Sequence, residues 1–386
     1  MRFTVSRHVR RLVPRTVRTL AAALALAFAL VPVASAQAIG DRLETFLDAS
    51  GAVAVDDGAY RLADLSLAVR APNDVLAQMT LTGVLDDQGV RDAAAALAIA
   101  TGYGAGIEEP IATYLREQAP ALASSGPVTI GVEAYALEID LEAGTPPSGT
   151  LSLSLPTVSQ EAFGTPVATL GADDAAVMIR VFSDFQCPFC QRYALEIMPS
   201  LEASVLERDD VGFAFHHFPL TSIHANAVPA AEAAQCVSDH YGADAFWAYH
   251  DLLFERLDAW KGLGDPAPYF ARVTRDVEAV AAAASEANDG VDLERAADVA
   301  AEQVGACLAN GDARATVRDA AARARALNLS GTPTVFVGDY RLNDFGSPQA
   351  YARLVRLQLA ERGDALGPEM ARDADGSAAA EETAED

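Results

Sequence analysis

Two cysteines three residues apart, Cys187 and Cys190 in the segment FSDFQCPFC, are the residues of this chain best suited to chemistry. A pair at that spacing can cycle between dithiol and disulfide, can supply half of a tetrahedral metal site, or can be two small core residues that lie close together. What separates these readings is where the sulfurs sit. The apolar run Ala175 to Phe182 (AAVMIRVF) leads into the motif as a buried strand, and a helical pattern follows from Gln191 to Leu206. Pro188 then falls at the first helical position, where its missing N–H costs nothing and its fixed φ suits the helix. That puts Cys187 at the N-cap, where unpaired backbone N–H groups and the positive end of the helix dipole favour a thiolate. Cys190 lies one turn further in and is expected to be more buried. Cys187 therefore attacks or is attacked, and Cys190 resolves the mixed disulfide. Phe189, which completes the dipeptide with Pro188, puts no imidazole charge beside Cys187.

A second element lies some 140 residues on, in SGTPTV from Ser330 to Val335. A Thr332-Pro333 pair directly before an apolar strand suits a cis proline packed against the dithiol, with the Thr332 backbone turned toward a bound substrate strand. Gly-Thr-Pro alone is a common turn. The two elements in this order, one after a strand and one before a strand, are specific. A metal site would need further ligands beside Cys187 and Cys190, and no second close pair of Cys or His is present, so an exported copper or zinc carrier is the weaker reading and neither metal nor cofactor is expected. His216 and His217 are adjacent on a strand and point to opposite faces, and each reads as a satisfied sheet residue.

With these residues in place, the chain resembles the thioredoxin superfamily, and within it the DsbA-like thiol-disulfide oxidoreductases with a helical insertion. The resemblance covers roughly residues 166–362. It rests on FSDFQCPFC, on FPL followed by HANA (Phe218 to Ala227), on AAEAAQC (Ala230 to Cys236), on YHDLLFE (Tyr249 to Glu255) and on GTPT. It implies an α/β, thioredoxin-like fold and a dithiol at Cys187 and Cys190 that passes a disulfide to exported proteins with free thiols. It also implies Pro333 as the cis proline shaping the substrate groove, and a quinone-linked membrane enzyme as the re-oxidant. Related enzymes often bury an acid six residues before the first cysteine. Here that position is Val181, and Asp184 or a water is expected to take over its proton transfer. His224 and His250 match family positions and read as packing or helix-end residues.

Cys236 and Cys307 sit on helical patterns in the inserted region, about 226–327. Joined, they would close a loop of about 70 residues and stabilise the fold by on the order of 4 kcal/mol. They are read as a structural disulfide, with two buried free thiols or a second redox pair as alternatives. An even number of cysteines fits an oxidising compartment.

The first 36 residues hold six arginines, no acid, an apolar run from Leu20 to Val33 and the small-x-small pattern Ala34-Ser35-Ala36. This is read as a cleaved export signal, and the location as periplasmic or otherwise extracytoplasmic; the apolar run is shorter than the roughly 20 residues of a spanning helix. An uncleaved signal acting as an anchor is the alternative. Removing the segment moves the net charge from −26 to −32, since six arginines leave with it. So acidic a chain would repel phosphates, which argues against a nucleic-acid partner. Residues 38–163 mix helical patterns (Val90 to Ala100, Ile107 to Leu122) with strands over Val128 to Leu141 and Thr150 to Leu155, and are expected to form a smaller α+β domain of their own. The glycine-rich TGYGAG, Thr101 to Gly106, follows a helix and reads as a turn. Residues 363–386, acidic and rich in Ala, Gly and Ser, read as disordered. The favoured function is disulfide introduction. Isomerase or reductase activity in a dimer paired by residues 38–163 comes next, and a chaperone or binding protein last.

Overall fold

The computed structural model describes residues 39–364 and 366, apart from 57, 133, 173, 207 and 289. The expected export signal and all but the start of the expected disordered tail lie outside the described residues. Contacts divide the chain into two units, one comprising the residues up to Thr157 together with those from Ala352, the other running from Val158 to Tyr351.

The first unit is built on a seven-stranded antiparallel sheet in the order β1-β2-β3-β4-β7-β6-β5. Its strands are β1 (Val53–Asp56), β2 (Ala59–Leu62), β3 (Leu65–Arg70), β4 (Gln78–Val84), β5 (Val128–Val132), β6 (Tyr135–Glu142) and β7 (Ser148–Ser154). Alternation makes the sheet one-sided. In β6, Tyr135, Leu137, Ile139 and Leu141 are buried while Glu138, Asp140 and Glu142 are exposed, the period-2 pattern of a strand with one wet face. The run Val128 to Leu141, expected as one strand, turns back on itself between β5 and β6. Helix α1 (Leu43–Ser50) precedes the sheet, and α2 (Asp87–Ala100) and α3 (Glu108–Ala123) interrupt it. Asp86 caps α2 by accepting from the Gln88 and Gly89 amides. TGYGAG is the turn between α2 and α3, held by a hydrogen bond from the Tyr135 hydroxyl to the Thr101 carbonyl. The C-terminal helix contributes Arg353 and Arg356 to this unit, both placed against the Asp41 carboxylate, with Arg356 fully buried.

The second unit carries a five-stranded mixed sheet in the order β12-β11-β9-β10-β8. Its strands are β8 (Ala168–Leu170), β9 (Val177–Ser183), β10 (Val211–His217), β11 (Thr334–Val337) and β12 (Tyr340–Leu342). β9 runs parallel to β10 and antiparallel to β11. Every residue of β10 is buried, as expected of a strand covered on both faces. On one face Phe163, Phe182, Phe218, Ala324, Leu329 and Phe336 form an apolar cluster. The other face meets an inserted helical region, in which α7 (Ala227–Glu255) is the longest element. Gly242 breaks α7 with φ 81 and ψ −171, a conformation open to glycine and costly for residues with a Cβ. The remaining helices of this unit are α4 (Gln160–Phe163), α5 (Pro188–Arg192), α6 (Met198–Glu202), α8 (Leu257–Trp260), α9 (Ala267–Val273), α10 (Glu278–Ala287), α11 (Leu293–Asn310) and α12 (Arg314–Ala326), and the C-terminal helix α13 (Pro348–Arg362) has its residues from Ala352 in the first unit. A π-turn over Tyr193–Ile197 joins α5 to α6. With a β-strand, helix and parallel strand followed by a returning hairpin, the unit has a thioredoxin-like α/β fold with a helical insertion.

Among the described residues no helix is long and apolar enough to cross a membrane.

Candidate functional site: a dithiol at a helix N-terminus

The last residue of β9 is Ser183, and the chain then makes one short turn into α5. Asp184 shapes that turn. Its carboxylate accepts from the Gln186 amide at 2.8 Å, from the Leu220 amide at 2.8 Å and from Nδ1 of His224 at 2.7 Å, and its carbonyl accepts from the Cys187 amide. The side chain is fully buried, so these donors replace the water it gives up. Asp184 therefore fixes the approach to the motif. Gln186 ties the same turn to the insertion. Its Nε2 donates to the Lys261 carbonyl, its Oε1 accepts from the Asn226 amide, and the Asn226 side chain donates to the Leu263 carbonyl at 2.9 Å.

Cys187 is the N-cap of α5 and Pro188 its first residue. The Cys190 thiol and the amides of Phe189 and Cys190 lie beside the Cys187 sulfur and favour its anion, although the sulfur closes no capping hydrogen bond. Together with the Thr332 hydroxyl they outweigh burial and bring the Cys187 thiol down to about 6, the Cys190 thiol being the largest influence. Cys190 moves the other way. Burial pushes it well above the ordinary thiol range, the neighbouring Cys187 thiolate adds to this, and the hydroxyls of Ser183 and Thr332 act in the opposite sense. The two sulfurs share one environment, and the asymmetry between them is the site's main electrostatic fact.

The Thr332-Pro333 bond is cis. The Cys187 thiol donates to the Thr332 carbonyl at 3.4 Å, so the two sequence elements 145 residues apart meet at one sulfur. The Thr332 hydroxyl is buried and closes no hydrogen bond of ordinary geometry while Cys187 is a thiol; it is a donor held ready for the thiolate. Phe189 is 64% exposed, which leaves a bare aromatic face beside the reactive atom.

Cys236 on α7 and Cys307 on α11 are disulfide-bonded, with Cα atoms 6.2 Å apart. Neither belongs to the dithiol site. His224 is the partner of Asp184, and His250 pairs through Nδ1 with Asp251 at 2.8 Å. His216 and His217 do face opposite sides of the sheet, with His216 stacked on Phe182 and His217 against Phe185 and Phe215. The expectation that both are satisfied does not hold. Nε2 of His216 and both ring nitrogens of His217 are buried without a hydrogen-bond partner, because each sits among aromatic rings. Sequence reasoning also missed Ser183, although its place two residues after Val181, on the same face of β9, was a usable signal. Among the described residues no group of three or more His, Cys, Asp or Glu is placed to hold a metal ion.

The chain is 33% identical over 88 residues to the Na(+)/H(+) antiporter NhaA 3 of Salinispora tropica, an alignment that covers 23% of this chain and 12% of that protein. It is 26% identical over 184 residues to the probable disulfide bond formation protein D of Bacillus cereus, covering 46% of this chain and 74% of its relative. The crystal structure of oxidised BdbD from Bacillus subtilis aligns with 54% of this chain and 95% of its own length at 21% identity, with a TM-score of 0.39. The Thioredoxin_4 family, described as thioredoxin, matches residues 164–356, half of the 386 residues and the whole of the dithiol site from Ser183 to Pro333; the chain belongs to that family.

Proposed function

We propose that this protein is an extracytoplasmic thiol-disulfide oxidoreductase that introduces disulfides into exported proteins through Cys187. The observation that carries the reading is the asymmetric pair itself: a Cys187 thiol brought down to about 6 at a helix N-terminus, opposite a Thr332 carbonyl that lies 3.4 Å away next to a cis proline. In the oxidised protein a substrate thiolate attacks the Cys187 sulfur. The Cys187–Cys190 bond breaks, its electron pair goes to Cys190, and a mixed disulfide forms between Cys187 and the substrate. The substrate's second thiolate then attacks its own sulfur in that bond, leaving with the disulfide, while Cys187 departs as a thiolate. A sulfur stabilised as thiolate is a good leaving group, so the reduced protein is favoured and the oxidised one is an oxidant.

The name of the Bacillus cereus relative, probable disulfide bond formation protein D, supports this direction. The paired Cys236 and Cys307 fit an oxidising compartment, as does the export signal read in the first 36 residues. Re-oxidation of the Cys187, Cys190 dithiol is assigned to a quinone-linked membrane enzyme. Equilibration of the protein with glutathione buffers tests the reading. An oxidising potential, well above thioredoxin's of about −270 mV, is expected; a value near −270 mV would make the protein a reductase.

A further inference from the structure

We propose that Ser183 and His217 form a buried proton relay that serves the Cys190 sulfur. The proposal rests on the oxidoreductase reading above and concerns the step in which the Cys187–Cys190 bond opens. Cys190 is then a leaving thiolate in a site that is 1% exposed, with burial raising its affinity for a proton. A proton has to reach it from inside the fold. The position six residues before Cys187 is Val181, which has no proton to give.

The groups in reach are set by the register of the sheet. Ser183 and His217 are paired residues of the parallel strands β9 and β10, so their side chains leave the sheet on the same face, about 5 Å apart. The Ser183 hydroxyl acts on Cys190. His217 is 1% exposed, and neither of its ring nitrogens has a partner. Gln235 turns its Oε1 toward the ring, but that oxygen too closes no hydrogen bond of ordinary geometry. An imidazole left with both nitrogens unmatched in a core is costly, because each gives up its water without a replacement. Phenylalanine would fill the same space between Phe185 and Phe215 without that cost. Toward solvent, His250 packs on the same two phenylalanine rings, and its Nδ1 is paired with Asp251, whose side chain is 59% exposed. The titratable groups that act with His217 are thus His216 beside it on β10 and His250, paired with Asp251, on the α7 side, and Cys190 is reached only through Ser183. Burial holds His217 itself neutral, down at about 3, which suits a relay that takes a proton at one nitrogen and gives one from the other.

The balance is simple. As the sulfur–sulfur bond opens, Cys190 receives the Ser183 hydroxyl proton, Ser183 takes one from His217, and His217 is refilled at its other nitrogen by a proton that enters from bulk water by way of the exposed Asp251 and His250. The reverse sequence removes the proton when Cys190 re-forms its bond to Cys187.

The test is the stopped-flow reaction of the oxidised full chain with reduced glutathione between pH 5 and 8, corrected at each pH for the glutathione thiolate. The chain is compared with the variants His217→Asn, Ser183→Ala and His216→Asn. The first two are expected to slow bond opening tenfold or more, in line with the lower range of general acid catalysis, and to alter its pH dependence, with the Cys187 titration unmoved. His216→Asn, on the opposite face beside Phe182, is expected to keep the parent rate and profile. Parent-like rates and profiles in His217→Asn or in Ser183→Ala overturn the relay. Should His217→Asn fail to fold, Ser183→Ala, which removes one oxygen, decides. An unsubstituted protein that reacts no faster than a free disulfide would overturn the oxidoreductase reading, and the relay with it.

Discussion

The two cysteine pairs of the second unit are equally buried, with Cys187 and Cys190 4% and 1% exposed and Cys236 and Cys307 0% and 3%. Burial therefore does not separate the reactive pair from the structural one. What separates them is direction. Cys236 and Cys307 join the sides of two long helices, α7 and α11, and are bonded to each other. Cys187 sits at the start of a helix, where a thiol, two amides and a hydroxyl favour its anion and a carbonyl lies across from it. A sulfur becomes reactive when fixed donors point at it, because they lower the energy of its anion at no reorganisation cost.

The comparison breaks outright if the wrong sulfur carries the activity. Cys187→Ala is expected to abolish oxidation of a reduced dithiol peptide, to the uncatalysed background. The double variant Cys236→Ser, Cys307→Ser is expected to keep the activity but to lose about 4 kcal/mol of stability in urea unfolding, as the loop it opens spans 71 residues. The Cys187 thiolate also makes the reduced protein's stability depend on pH. Because the folded value lies below that of the unfolded chain, the contribution is full above an unfolded value near 9 and is lost as pH falls through about 6. Reduced protein is thus expected to gain a few kcal/mol relative to oxidised protein between about pH 6 and pH 9. Cys190, raised in the folded state, changes nothing in that window. Matched urea midpoints of the two forms at several pH values check this, and a flat difference would contradict it. Thr332→Val removes one donor and is expected to raise the Cys187 titration by less than about one unit, measured by thiolate absorbance.

Much of the site was legible because its parts are backbone-driven. A strand ending at Ser183, one short turn and a proline directly after Cys187 dictate an N-cap, and a Thr-Pro before an apolar strand dictates a return to it. The helical insertion was equally plain from its alanine-rich periodicity. The turn between β5 and β6 was hidden because apolar alternation continues through VTIGV and YALEIDL without a Gly-Asn or Pro signal at the reversal. The environment of Asp184 could not be read at all, since its partners Leu220 and His224 arrive from 36 and 40 residues away. His217 was misjudged for a related reason. Its face of the sheet followed from alternation, but whether its nitrogens find donors or acceptors depends on what α7 lays over them, which is a tertiary fact.

One titration bears on the central claim most directly: absorbance of the thiolate near 240 nm in the reduced protein, with Cys187→Ala as the blank. The account predicts a single transition centred at about pH 6 that vanishes in the variant. A transition at the ordinary cysteine value, near 9, or one that survives loss of Cys187, would contradict it.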